Sequence, residues 1–143
     1  MDRVPGARTS FTIGEEATFS RTFAEEDIQI FSKLSGDTNP IHLDENYARL
    51  TRFGGRIIHG MLVASLISTA LGTILPGPGC VYLSQQLSFR APARIGEHLT
   101  ARVRVSDWDG TKGRIILATE VINERGEQLI IGEAKMALSS FLK

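Results

Sequence analysis

The sequence predicts an α+β fold in which one antiparallel β-sheet curls around a long apolar helix. Residues 60–75 are apolar on nearly all sides, which is typical of a helix buried on most of its surface. From residue 83 onward apolar and polar residues alternate, the period-two pattern of a sheet with one covered face. Short glycine-bearing segments at 109–113 and 124–127 separate these strands, as hairpin turns do.

The first elements are a short strand and a helix. Ala17–Phe23 alternates as a strand, and Ala24–Ser35 follows as a helix with acidic residues in its first turn, where the helix dipole favours them. Gly36 is a suitable stop for this helix. The spacing places four side chains on one face of the helix: Ile28, Phe31, Leu34 and Ser35.

The middle of the chain is predicted to hold a loop, a short helix and the central helix. The segment Asp37–His42 is expected to be a loop at a helix C-terminus, and Asp44 to cap a short helix that runs to Leu50. The apolar helix is predicted over Gly60–Leu75, and the Pro-Gly-Pro-Gly run 76–79 ends it.

Four strands make up the second half. Two are read from alternation over residues 83–90 and 98–105, and two more over Arg114–Asn123 and Gln128–Ser139. The predicted inward residues are Leu83, Gln85, Leu87 and Phe89, then Leu99, Ala101, Val103 and Val105, and on the last strand Ile130, Gly132, Ala134, Met136 and Leu138.

Length and composition narrow the functional classes. The 143 residues suit one domain, with residues 1–10 expected to be a loose leader. The formal net charge is zero, which gives no electrostatic footprint for nucleic acid. A single cysteine, Cys80, forms no intrachain disulfide, and no signal peptide or bilayer-spanning stretch is visible. We therefore expect a cytoplasmic protein that binds no nucleic acid and no membrane.

Residues 37–42 bring together groups suited to handling water. A carboxylate at Asp37 and an imidazole at His42 that converge on one water can deprotonate it and return a proton to carbon. Asn39 can orient the carboxylate or the water without a change of charge. Pro40 fixes its own φ and restricts Asn39, so the segment would hold its shape without substrate.

Gly60 stands at the predicted entrance of the apolar helix. The first amides of a helix have no internal partner and favour negative charge nearby. A thioester carbonyl that becomes enolate-like in the transition state suits this position, and glycine permits its close approach.

Two runs carry a resemblance to a known family: SGDTNPIHLD at 35–44 and IHGML at 58–62. Together they resemble the hydratase-2 motif of the MaoC-like, hot-dog-fold (R)-specific enoyl-CoA hydratases. The resemblance extends from about residue 19 to 138 and includes PGPGCVYL at 76–83 and LSFRAP at 87–92. It implies a hot-dog fold and the hydration of trans-2-enoyl-CoA.

The resemblance also implies roles for particular residues. Asp37 and His42 match the pair that holds the attacking water, and Gly60 matches the amide donor to the thioester carbonyl. Asn39 matches a supporting position, and Ser68 a serine near the catalytic pair. The family also implies a homodimer, an acyl-CoA substrate, no metal and no cofactor beyond the coenzyme A of the substrate. Its short members supply (R)-3-hydroxyacyl-CoA for polyhydroxyalkanoate synthesis.

Other interpretations stay open at this point. The carrier of the acyl group can be acyl-carrier protein instead of coenzyme A, as in a 3-hydroxyacyl-ACP dehydratase, and the same fold also hosts acyl-CoA thioesterases. A noncatalytic acyl-CoA-binding or dimerisation module is a further alternative. His59 is interpreted as a packing residue at the helix entrance. The arginines interpreted as solvated surface are Arg56, Arg90, Arg102 and Arg104.

Overall fold

One antiparallel sheet and one long helix form the body of the protein in the computed structural model, which describes residues 4–142. The strands are β1 (Glu16–Thr22), β2 (Cys80–Phe89), β3 (His98–Asp109), β4 (Arg114–Ile122) and β5 (Gln128–Leu138). They lie in the order β1-β3-β4-β5-β2. The helices are α1 (Glu25–Ser35), α2 (Pro40–Leu43), α3 (Glu45–Arg49) and α4 (Gly60–Thr73), and a 3₁₀ turn follows at Ser139–Phe141.

Helix α4 lies against the sheet, with contacts to β1, β2, β3 and β4. Its buried residues are Leu62, Val63, Ala64, Leu66, Ile67, Ala70 and Leu71. The predicted α+β fold, with a sheet wrapped around an apolar helix, is therefore confirmed. None of the helices within the described range has the length and apolarity needed to span a bilayer.

The alternation predicted for β3 and β5 matches the burial. Leu99, Ala101, Val103 and Val105 are all fully buried. On β5, Ile130, Ala134, Met136 and Leu138 are buried as well. Gly132 has a special reason to be glycine, because a Cβ there would overlap the carbonyl oxygen of Gln86 on the neighbouring strand.

The prediction of Leu83 as an inward residue is wrong. The β2–β5 register shifts between Tyr82 and Ser84, so Leu83 occupies a bulge and is 47% exposed. One extra residue on a strand reverses the faces of the residues before it. Tyr82 therefore lies on the same side as Gln85 and Leu87, and the three line one cavity.

The inner face of α1 also differs from the prediction. Leu34 is 83% exposed, whereas Ser32 is buried at 3% exposure. Ser32 can occupy this position because its hydroxyl lies 3.0 Å from Nε2 of His59. Ile28 is fully buried, as predicted.

The predicted loose leader covers residues 1–10, of which 1–3 lie outside the described residues. The described part contacts the turn that follows α4, since a Cβ at Gly79 would lie 2.6 Å from Cβ of Ala7. Arg8 pairs with Glu15 at 2.8 Å.

Candidate active site

The segment that connects α1 to α2 is shaped by a left-handed glycine and two short-range hydrogen bonds. Gly36 takes a left-handed conformation with φ 82°, and its N–H donates to the carbonyl of Ser32 at 2.9 Å. The N–H of Asp37 then donates to Oγ of Ser35 at 3.1 Å. The predicted helix stop at Gly36 is confirmed, and Asp37 is held immediately after it.

His42 lies on a short helix, so the prediction of a loop from Asp37 to His42 is wrong over its second half. Pro40 occupies the first helical position of α2, where a missing N–H costs nothing. Asn39 caps this helix, because its Oδ1 accepts from the N–H of Ile41 at 3.2 Å. The predicted cap of α3 at Asp44 is confirmed by its bond from the N–H of Tyr47 at 3.1 Å.

Asp37 is exposed but held at several atoms. Its carboxylate Oδ1 accepts from the N–H of Asn39 at 3.2 Å, an Asx turn that fixes the side chain. Its carbonyl oxygen accepts from Nε2 of His59 at 3.1 Å. Asn39 thus supports Asp37 through its backbone, while its own amide side chain is engaged in capping α2.

His42 is buried at 8% exposure, and its neighbours fix its tautomer. Nδ1 lies 2.8 Å from the carbonyl oxygen of Ile57. Because a carbonyl oxygen only accepts, Nδ1 carries the hydrogen and Nε2 of neutral His42 holds a free lone pair. A bare imidazole nitrogen of this kind can accept a proton from water.

Arg56 supports α2, the short helix that carries His42. Its Nε donates to the carbonyl of His42 at 2.7 Å, and its guanidinium pairs with Glu25 at 2.9 Å. This guanidinium lowers the pKa of the Glu25 carboxyl. The side chain of Arg56 is 15% exposed, so its interpretation as solvated surface is wrong.

His59 packs at the entrance of α4, as interpreted from the sequence, but its contacts with Asp37 and His42 were not predicted. It is buried at 1% exposure, and its ring stacks on His42 with centroids 3.9 Å apart and planes 28° apart. Burial, and to a smaller extent the nearby His42, lowers its pKa, while the bond to Asp37 opposes the shift. The only signal in the sequence was its place directly before Gly60.

Asp37, His42 and His59 form a cluster in which one donor atom from each lies within 4.8 Å of the others. Such a set invites a test for metal binding. The two imidazole rings stack nearly parallel, however, so their in-plane lone pairs do not converge at the roughly 2 Å reach of a metal–nitrogen bond. The donor geometry fits a metal poorly, whereas a carboxylate beside a bare imidazole nitrogen suits proton transfer.

Gly60 is the first residue of α4. Within residues 4–142 the N–H groups of Gly60 and Met61 have no acceptor, as the start of a helix predicts. A Cβ at Gly60 would lie 2.8 Å from Cε1 of Phe89. Gly60 and Phe89 line a cavity of about 240 Å³ together with Ile57, Arg52 and Arg90.

Ser68 lies apart from this cluster. Eight residues along α4 from Gly60 correspond to a rise of roughly 12 Å. Its exposed side chain lines a different cavity, of about 370 Å³, with Met61, Tyr82 and Leu87. Burial raises the pKa of Tyr82, and the nearby hydroxyl of Ser68 opposes part of that shift. Within one copy of the chain, Ser68 is therefore not brought to the Asp37–His42 pair.

Comparisons with known proteins agree with this architecture. A family profile described as MaoC like domain matches residues 8–125. An (R)-specific enoyl-CoA hydratase of Rhodospirillum rubrum is 46% identical over 85% of this chain and 83% of its own. A mitochondrial 3-hydroxyacyl-[acyl-carrier-protein] dehydratase of Arabidopsis thaliana is 34% identical over 92% of this chain and 80% of its own.

A solved structure gives the same result at the level of the fold. The (R)-hydratase from A. caviae involved in PHA biosynthesis superposes with a TM-score of 0.87 at 40% identity. The superposition covers 92% of this chain and 99% of that one. The hot-dog fold implied by the motifs is thus confirmed, and the chain belongs to the MaoC-like domain family.

Proposed function

We propose that the protein is an (R)-specific enoyl-CoA hydratase, a hydro-lyase that reversibly adds water to trans-2-enoyl-CoA to give (R)-3-hydroxyacyl-CoA. One observation carries the proposal. The Asp37 carboxylate lies beside His42, whose Nδ1 is engaged and whose Nε2 is free to accept a proton. Close relatives named as (R)-specific enoyl-CoA hydratases support the reaction type.

The proposed chemistry follows from this pair. A water held between the Asp37 carboxylate and Nε2 of His42 loses a proton to the imidazole as its oxygen bonds to C3 of the enoyl thioester. The pair then returns a proton to C2 from the same side, which makes the addition syn. One water is added, no electrons are exchanged, and the step requires neither metal nor cofactor.

The start of α4 is proposed to stabilise the charge that develops on the thioester oxygen. The free N–H groups of Gly60 and Met61 and the helix dipole offer a fixed positive environment for an enolate-like oxygen. Gly60 also leaves room for close approach, since a side chain there would meet Phe89. Asn39 acts on the proposed Asp37–His42 pair through its backbone N–H, which donates to the Asp37 carboxylate.

Coenzyme A, as part of the substrate, is the proposed carrier. The cavity beside Gly60 is flanked by Arg52 and Arg90, which can meet the phosphates of coenzyme A. The same two charges also suit an acidic carrier protein, and the Arabidopsis relative is named for an acyl-carrier-protein substrate. A 3-hydroxyacyl-ACP dehydratase is therefore the second candidate function.

A homodimer formed through β2 is proposed as the working state. β2 is an outer strand of the sheet, and it exposes Val81, Tyr82, Leu83 and Phe89 at 38–54%. A long apolar strand at a sheet edge favours pairing with another chain, and a symmetric pair is the commonest solution. A second copy would also cover Met61 and Ser68, which are exposed on the adjacent face of α4.

The product has a proposed use. The A. caviae relative is described as involved in PHA biosynthesis. We propose the same use here, with the (R)-3-hydroxyacyl-CoA product supplied to a polymerising enzyme in the cytoplasm.

The function is tested with purified protein and crotonyl-CoA. Absorbance of the conjugated enoyl thioester should fall without release of free thiol, and chiral analysis should show the (R)-3-hydroxy product. The rate with crotonyl-acyl-carrier protein decides between the carriers. Release of thiol without hydration, detected with a thiol-reactive dye, would indicate a thioesterase and refute the proposal.

A further inference from the structure

We propose that His59 is a positioning residue of this site, a neutral imidazole that holds the Asp37 backbone in place and supports the ring of His42 by stacking. The kinetic consequences of this role rest on the proposed hydratase function. The structural part, a fixed tautomer and a fixed pair of contacts, stands apart from it and can be measured separately.

Four contacts of His59 define the role. Its Nε2 lies 3.1 Å from the carbonyl oxygen of Asp37 and 3.0 Å from Oγ of Ser32. Its ring stacks on His42 at 3.9 Å, and the edge of Phe31 packs against it at 4.8 Å. One side chain thus touches both members of the proposed water-handling pair and fixes their separation.

The hydrogen bonds determine the tautomer of His59. The carbonyl oxygen of Asp37 only accepts, so Nε2 of His59 carries the hydrogen. Oγ of Ser32 accepts from the same N–H, so the hydrogen bond is bifurcated. Nδ1 is then a bare nitrogen, and it is buried without a hydrogen-bond partner among the described residues. Leaving a buried polar atom unpaired costs stability, so a residue that served packing alone would be better as phenylalanine.

The surroundings of His59 keep its ring neutral. The titratable groups that face it are His42 from α2 and Asp37 from the preceding loop, while α1 contributes the uncharged Ser32 and Phe31. Burial is the largest cause of its lowered pKa, and His42 adds to the effect. The guanidinium of Arg56, which contacts the same short helix as His42, donates to the His42 carbonyl and to Glu25.

Neutrality matters because His42 takes up a proton during the proposed reaction. A charged His59 would place a second cation one stacking distance away, at 3.9 Å between ring centroids, and would oppose that step. A neutral ring beneath the imidazolium instead offers its π-face to the cation. His59 therefore supports the charged form of His42 without exchanging a proton itself.

Two variants separate the two halves of the role. His59→Gln keeps an N–H that can reach the Asp37 carbonyl but removes the ring, and His59→Phe keeps the ring but removes the bond. We expect each to lower kcat for crotonyl-CoA by on the order of 10²-fold, as a small misplacement of reacting groups does, with KM nearly unchanged. His59→Ala should lose more than either. His98→Gln, at an exposed histidine of β3, is the matched control and should keep wild-type kinetics.

The second measurement is NMR of the protein labelled in its histidine rings. The ring of His59 should remain in the neutral Nε2–H tautomer below the pH at which an ordinary histidine is protonated, with His98 as the exposed reference. An Nδ1–H tautomer or ordinary protonation of His59 would overturn the proposal, as would wild-type kcat in both His59→Gln and His59→Phe.

The failure of the positioning role is distinguishable from that of the proposed function. A wild-type protein without hydratase activity would contradict the proposed function, while the NMR result would still decide whether His59 holds Asp37 as a neutral ring. An equal loss of thermal stability and of kcat in all His59 variants, with rescue by neither Gln nor Phe relative to Ala, would indicate a merely structural residue and refute positioning.

Discussion

Replacement of Gly60 by alanine offers a quantitative test of the proposed carbonyl site. The added Cβ would lie 2.8 Å and 3.0 Å from two ring carbons of Phe89, where ordinary contacts begin at 3.4 Å. The ring must therefore move away by about 0.6 Å at the closer carbon, which is the difference between 3.4 Å and 2.8 Å. Phe89 is 54% exposed within one copy of the chain, so we take the lower end of the usual cost of overpacking, about 1 kcal/mol.

The displacement of the Phe89 ring should weaken substrate binding. Gly60 and Phe89 line the same cavity, and a ring pushed aside there competes with the thioester for space. About 1 kcal/mol corresponds to roughly a fivefold rise in KM for crotonyl-CoA. The amide N–H is retained in alanine, so kcat should change less than KM. Steady-state hydration across substrate concentrations measures both.

Two controls decide the cause. Gly72→Ala lies on the same helix, and its Cβ would meet no atom within 4 Å, so KM should not change. In the double variant Gly60→Ala/Phe89→Ala the opposing ring is absent, and the rise in KM caused by Gly60→Ala should largely disappear. Equal KM values for Gly60→Ala and Gly72→Ala, or a penalty that persists without Phe89, would refute the reasoning.

Three further outcomes follow from other parts of the structure. Hydrogen bonding by Arg8 lowers the pKa of Glu15 to about 2 from 4.5, so its contribution is full above pH 4.5 and lost as pH falls towards 2. Glu15→Gln should cost under about 1 kcal/mol of folding stability near pH 7, because solvent screens the ion pair. The difference in melting temperature between wild type and this variant should disappear in acid. A difference that widens in acid would contradict this. Gly132→Ala should cost about 3 kcal/mol or more in urea unfolding, because its Cβ would overlap the Gln86 carbonyl, and a midpoint like that of wild type would contradict this. Burial raises the pKa of Cys80 to about 11 from 9.0, so at pH 8 it should react with a thiol dye roughly 10²-fold more slowly than a free thiol; an equal rate would contradict the burial.

Sequence reasoning succeeded where a residue's environment is decided by its near neighbours. The alternation of β3 has one phase because one face is buried, so Leu99 and Val103 could be placed inward from the pattern alone. Gly36 and Asp44 act within a single turn of chain, and their helix-stop and capping roles depend on local chemistry.

Features that depend on distant contacts were missed. The bulge at Leu83 arises from the register of β2 against β5, which no local pattern in β2 reveals. His59 meets Ser32 and Asp37 only once the chain has folded, since they lie 27 and 22 residues away in the sequence, so its contacts could not be read from its own surroundings there.

Asp37→Asn is the most direct test of the central claim that Asp37 and His42 share a catalytic water. Asparagine keeps the oxygen that accepts from the N–H of Asn39, so the fold should hold while the charge is lost. Asp44→Asn is the matched control, since Asp44 is a nearby exposed helix cap outside the cluster. We predict a loss in kcat for crotonyl-CoA of about 10²–10⁴-fold in Asp37→Asn, with wild-type kcat in Asp44→Asn and unchanged melting in both. A near-wild-type kcat for a folded Asp37→Asn protein would contradict the account.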